Sequence, residues 1–167
     1  MLTPTDAANV LNLVVTRAQS SLEADAWLQT GGTGGIELIH PWAVGSQRAY
    51  QAHELPALLV RATNVGAVPR PTPAGADDLA VHLVIEALDA GADRSALTTT
   101  VQTIAARLRR WMTDQAVPGG NRLDGLLNDG DGVLVPGTLK FAEEQPADGR
   151  YWALAQVEAV VRLRVEL

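Results

Sequence analysis

The chain has no cysteine. That excludes a disulfide framework, a zinc–thiolate or iron–sulfur site and a thiol nucleophile, and it leaves the redox compartment unmarked. Lysine is almost missing as well: Lys140 stands alone beside twelve arginines. Abundant alanine accompanies the arginines, which we read as the codon bias of a GC-rich source and not as function. Basic charge is in deficit, with a formal net charge of −6, which weighs against a generally basic nucleic-acid-binding surface and leaves room for a local arginine patch. No apolar run approaches about eighteen residues, and Met1-Leu2-Thr3-Pro4-Thr5-Asp6 lacks the positive segment of a secretory leader. We expect no signal peptide, no membrane span and a cytoplasmic site of synthesis.

What is present is enough for one folded unit. A chain of 167 residues that is 47% hydrophobic and 19% charged is expected to form a single domain over 1–167. Thr3-Pro4-Thr5-Asp6 reads as a helix start, followed by an apolar stripe at Ala7, Leu11, Val14, Ala18 and Leu22. Ser20 and Glu23 suggest a second capping box, with a break before the chain continues to Trp27 and Leu28. Gly31-Gly32-Thr33-Gly34-Gly35 reads as a flexible linker. Between Ile36 and Tyr50 the pattern supports a short edge strand at most. Ala57–Thr63 and Leu79–Leu88 read as strands, the latter with Leu79, Val81, Leu83, Ile85 and Ala87 on one face. Between them we expect a long Pro/Gly loop at 65–77.

A second helix is expected after Asp93 or Ser95, with its stripe at Leu97, Val101, Ile104, Leu108 and Trp111 or Met112, and with Arg107, Arg109 and Arg110 off that stripe. After a polar, glycine-rich connection over 121–132 comes a hairpin: Thr138–Glu144, a turn at Pro146-Ala147-Asp148-Gly149, then Tyr151–Val165. Every odd position from Tyr151 to Val165 is apolar, so one face of that strand is buried and the other wet. The order helix-strand-strand-helix-strand-strand predicts an α+β fold: a small, mostly antiparallel sheet of about four strands with two helices packed on one face.

Active-site patterns fail one after another. Ile36-Glu37 follows the glycine run where a phosphate loop needs Lys and Ser/Thr, and Glu37 takes the third glycine of a dinucleotide fingerprint. The acidic run Asn128-Asp129-Gly130-Asp131-Gly132 meets Val133 and Lys140 where a calcium loop needs oxygen ligands. His40, His53 and His82 have no metal-binding spacing. Asp77-Asp78 and Glu143-Glu144 are neighbours in strands and point to opposite faces. We expect no catalytic residue, no metal and no cofactor. The rival reading is a small hydrolase or ligand-binding domain that uses His82 and a carboxylate such as Glu86 in a pocket under the sheet. Arg107, Arg109 and Arg110, with Arg122, form the one basic cluster, suited to the end of a helix or to an interface.

The N-terminal helix, the lead-in His53-Glu54-Leu55-Pro56-Ala57-Leu58-Leu59-Val60, the long loop, the second helix and the closing hairpin with Ala153-x-Ala155-x-Val157 resemble the tail-terminator (tail-completion) proteins of tailed bacteriophages. Related head–tail adaptor and stopper proteins share the size and the ring habit. The resemblance implies a subunit of a hexameric ring in the virion tail or neck. That ring ends tail polymerisation, with the tail tube protein on one side and the head–tail connector protein on the other, and DNA passes through its lumen without sequence-specific binding. It implies neither a membrane nor a cofactor. Under this reading the subunit or tail interface is expected at Pro69, Arg70 and Pro71 in the loop and at Arg107, Arg109 and Arg110 on the helix.

Overall fold

A computed structural model describes residues 9–41, 50–68, 76–113, 123, 134–144 and 149–166. Two helices, Val10–Glu23 (α1) and Arg94–Thr113 (α2), accompany the strands Leu38–Pro41 (β1), Ala57–Val68 (β2), Ala76–Gly91 (β3), Leu134–Glu144 (β4) and Tyr151–Glu166 (β5). The strands form one mixed sheet in the order β1-β2-β3-β5-β4. All neighbours are antiparallel except β1 and β2, which run parallel. The fold is α+β as the sequence predicts, with β1 added as a fifth strand on the outer side of β2.

Both helices lie on one face of the sheet. The odd positions of β3 and β5, from Val81 to Ala87 and from Ala153 to Leu163, meet Val14, Ala18 and Leu22 of α1 and Leu97, Val101, Ile104, Leu108, Trp111 and Met112 of α2 in a single core. The predicted stripes of α2 and β5 are therefore observed, because side-chain periods of 3.6 and 2 each place those residues on one side. Asp93 caps α2: its carboxylate accepts the Ala96 N–H at 3.1 Å. On α1 the stripe enters at Val10, and Leu11 is exposed. A step of four back from Val14 stays on the buried line, whereas a step of three leaves it. Ala7 lies outside the described residues.

The loop expected at 65–77 is shorter than its composition suggests. β2 runs on to Val68 and β3 begins at Ala76, with Val65 opposite Val81 and Val68 opposite Asp78 after a register shift near Asn64. Gly66 and Ala67 retain ladder geometry because the first proline, the residue type that removes a backbone donor, comes only at Pro69. The turn Pro146-Ala147-Asp148 lies outside the described residues, although the pairing of Glu144 with Trp152 fixes β4 and β5 as a hairpin. The connection before β4 holds one residue that sequence reading passed over: Leu123, fully buried in the core at φ +46°. A left-handed conformation in a leucine costs roughly 1–2 kcal/mol, which burial of its side chain offsets.

The glycine run after α1 is a built turn and not a flexible linker. The amides of Gly31, Gly32, Thr33, Gly34 and Gly35 donate to the carbonyls of Ile36, Gln29, Ala26, Trp27 and Gly32 respectively. Gly31 and Gly35 sit at φ +69° and +66°, where L side chains are strained. At Gly34 a Cβ would stand 2.6 Å from the Trp27 ring. Glycine is required here by backbone sign and by space, and composition alone does not distinguish that from looseness.

Candidate functional site

Three features lie outside the apolar core: the arginines Arg107, Arg109 and Arg110 of α2, a charged network on the sheet face opposite the two described helices, and the arms of β2 and β3.

Arg107, expected at an interface, is answered within the chain. Its guanidinium donates to Asp25 Oδ2 at 3.1 Å, and the same carboxylate accepts the amides of Trp27 at 2.9 Å and Leu28 at 3.0 Å. Asp25 is buried. Its backbone bonds hold the turn after α1 and its ion pair ties that turn to α2; the helix ends at Glu23, where the break was expected, and Asp25 supplies the side-chain bonds of the turn that follows. Glu23 instead receives the amide and hydroxyl of Thr30. Arg109 and Arg110 are exposed near the C-terminus of α2, while Pro69, Arg70, Pro71 and Arg122 lie outside the described residues.

The sheet face opposite the helices carries a charged network across four strands. Arg61 on β2 donates to Glu86 on β3 at 2.9 Å. Next to them Glu158 on β5 accepts from Lys140 on β4 at 3.0 Å and from Gln156 at 3.3 Å, and His82 lies 3.8 Å from its second oxygen. Burial raises the pKa of Glu86 despite the guanidinium beside it, which pulls the other way. Glu86 is buried on the face opposite the two described helices, as are Ala57, Leu59 and Val84 beside it.

This network separates the two residues of the rival reading. His82 and Glu86 share a face of β3 but stand four positions apart, about 13 Å at the usual strand rise. Each is engaged by a different partner, Glu158 for His82 and Arg61 for Glu86. Among the described residues no group of three or more His, Asp or Glu side chains could hold a metal ion.

Apolar residues border the network. One row of paired positions crosses the whole sheet as Leu38, Ala57, Leu88, Leu154 and Ala142, and the next as His40, Leu59, Glu86, Gln156 and Lys140. His40 is held by the Tyr50 hydroxyl at 2.9 Å. Beyond these rows β4 stays paired with β5 as far as Leu134 opposite Val161, and past that row, toward Val68, Ala76 and Glu166, β2, β3 and β5 continue as a three-stranded arm. Neither the arm's length nor the network was visible in the sequence, since both depend on which strands are neighbours.

No helix among the described residues is long and apolar enough to cross a membrane. Compared with known proteins, the chain matches no protein-family model and no curated sequence.

Proposed function

We propose that this chain is a structural ring subunit of a tailed phage or phage-like particle, of the tail-terminator kind, which caps the tail tube and joins it to the head connector. The observation that carries the reading is the one-sided sheet. Both described helices pack on one face, and among the described residues neither sheet edge carries a further strand, so this reading assigns the contacts between subunits and with the tube to the two edges and the β2–β3 arm. The observed order differs from the expected helix-strand-strand-helix-strand-strand by the additional strand β1.

The chemistry asked of such a protein is assembly. A ring closes when one patch of a subunit binds a different patch on the next copy, and each contact of a stable ring buries about 1,200–2,000 Å². A ring whose lower surface fits the tube end, and whose upper surface does not repeat that end, stops addition of tube protein. Residues 69–75 join the two strands of the arm and are the proposed contact to a neighbour or to the tube. Arg109 and Arg110 serve the opposite side of the contact, with Arg107 holding the helix that presents them.

Native mass spectrometry tests the oligomer, and mixing with growing tubes of tail tube protein tests the function. A hexamer of 17.7 kDa subunits that halts tube growth is the expected result. A chain that stays monomeric with tubes present, and leaves their growth unchanged, overturns it.

A further inference from the structure

The two edges of the sheet match one another. Through the registers of all four pairings, Leu38 of β1 lies in the same row as Ala142 of β4, and Pro41 in the same row as Leu139. The four residues of β1 and the stretch Leu139–Ala142 therefore stand at the same height on opposite sides of the sheet. Their directions are opposed: β1 runs with β2 and β5, and β4 runs against β5. A subunit carried around a ring keeps its strand directions, so the β4 edge of one copy arrives antiparallel to the β1 edge of the next, at matching height. Among the described residues neither edge has a strand on its outer side.

The edges are also selective. Exposed strand edges invite indiscriminate pairing, and proline, bulges and lysine are the usual defences. On β4 the first third is interrupted by Pro136 and a register shift before Leu139. An incoming strand is thereby confined to the regular part, Leu139–Glu144, which includes the stretch level with β1. Pro41 closes the other edge after four residues.

We infer that β1 of one copy and β4 of a second copy pair antiparallel, Leu38–Pro41 against Leu139–Ala142, and so join the sheets of successive subunits. This inference rests on the ring reading above and names its strand-to-strand contact. Four residues opposite four give about four backbone hydrogen bonds. The pairing also prolongs the rows: the apolar row ending at Leu38 meets Ala142 of the next copy, and His40 meets Lys140.

Because the chain has no cysteine, introduced thiols can react only with one another. The test is oxidation of the assembled double variants His40→Cys/Lys140→Cys and Pro41→Cys/Leu139→Cys, resolved on non-reducing denaturing gels. The two pairs occupy adjacent rows, so one of them falls at the closer, non-hydrogen-bonded kind of site, within the roughly 7 Å between Cα atoms that a disulfide tolerates. Replacing Lys140→Cys by Thr138→Cys or Ala142→Cys covers a shift of two residues. The expected result is a ladder of covalent multimers from a double variant and none from either single variant. Dimers from His40→Cys alone would show like edges pairing and overturn the inference. Native multimers without a cross-link in any register would overturn it while leaving the ring reading intact. Monomers in the presence of tubes would overturn both.

Discussion

Arg107 and Asp25, eighty-two residues apart in the chain, meet at 3.1 Å between the end of α2 and the turn that follows α1. The carboxylate is buried and already accepts two backbone amides, while the guanidinium is partly exposed. The pair thus joins two helices that otherwise touch through apolar side chains on the sheet.

Removing the cation leaves a buried charge with only its amide partners, a change that typically costs about 3–5 kcal/mol for a fully buried pair and less at this half-open site. Arg107→Ala should therefore lose about 2–4 kcal/mol in urea unfolding, whereas Arg109→Ala, at an exposed position, should stay within about 0.5 kcal/mol. Equal unfolding midpoints for the two variants would contradict the assignment of Arg107 to the fold.

The glycine turn gives a second contrast. Alanine at Gly34 brings a methyl group to 2.6 Å from the Trp27 ring and 2.7 Å from its carbonyl, while alanine at Gly66 meets nothing within 4 Å. We expect Gly34→Ala to destabilise by about 1–3 kcal/mol, as overpacking does, and Gly66→Ala, in an exposed strand position, to be neutral or slightly stabilising. Thermal melts of the two proteins decide the point.

Where chain-local physics fixes an element, the sequence was enough. The alternation from Ala153 to Leu163 and the three-and-four spacing from Leu97 to Met112 need no knowledge of partners, since a period of two or of 3.6 already defines a face. The parallel placement of β1 needed a neighbour, β2, whose position no local pattern states. The same holds for Asp25 and Arg107, each of which alone reads as a solvated charge. The extent of β2 and β3 was hidden because Gly66 and Ala67 are poor strand formers held in the ladder by β3, itself paired on both sides. The candidate surface was legible only as a class: arginines off the helix stripe were seen, but not that Arg107 meets the buried Asp25.

The closing strand yields a direct test of which face is inside. Val161 is fully buried among the core residues and Arg162 is exposed. A carboxylate placed at Val161 has no partner there, and burial of such a group costs several kcal/mol, comparable with a domain's whole margin of about 5–15 kcal/mol. Val161→Asp should unfold the protein and Arg162→Asp should be mild; circular dichroism melts that coincide would refute the face assignment.

Glu86 makes stability depend on pH in an unusual direction. Burial raises its pKa above the ordinary value, with Arg61 opposing but not prevailing, and burial acts the same way on Asp89 against the Ala90 amide. The folded chain therefore holds these protons more tightly than the unfolded chain. By linkage their contribution to stability is greatest below the ordinary carboxylate values, falls as pH rises through the window up to the raised values, and is level above it. Carboxylates elsewhere titrate too, so the quantity to measure is the difference between wild type and Glu86→Gln, which removes one of the two groups and retains an acceptor for Arg61. Urea midpoints across that window should show wild type gaining on the variant as pH falls; a constant difference would show that Glu86 does not titrate with folding.

The arm of β2 and β3 separates folding from assembly. β2 and β3 are paired as far as Val68 and Asp78, and β3 stays paired with β5 to Ala76, so residues 69–75 can be exchanged without removing a described strand pair. Replacing them by Asn-Gly should leave the melting temperature nearly unchanged, since with Ala76 and Asp77 it makes a four-residue connection between Val68 and Asp78, a length hairpins accept. Under the proposed function the same exchange should lower the yield of rings and the capping of tubes, because the segment that reaches the neighbour or the tube is gone. The loss of that contact should be seen most clearly at low subunit concentration, where mass action favours dissociation. Native mass spectra over a dilution series, run beside tube-growth assays, measure both effects. A short-turn variant that forms rings and halts tubes as well as wild type would remove residues 69–75 from the mechanism.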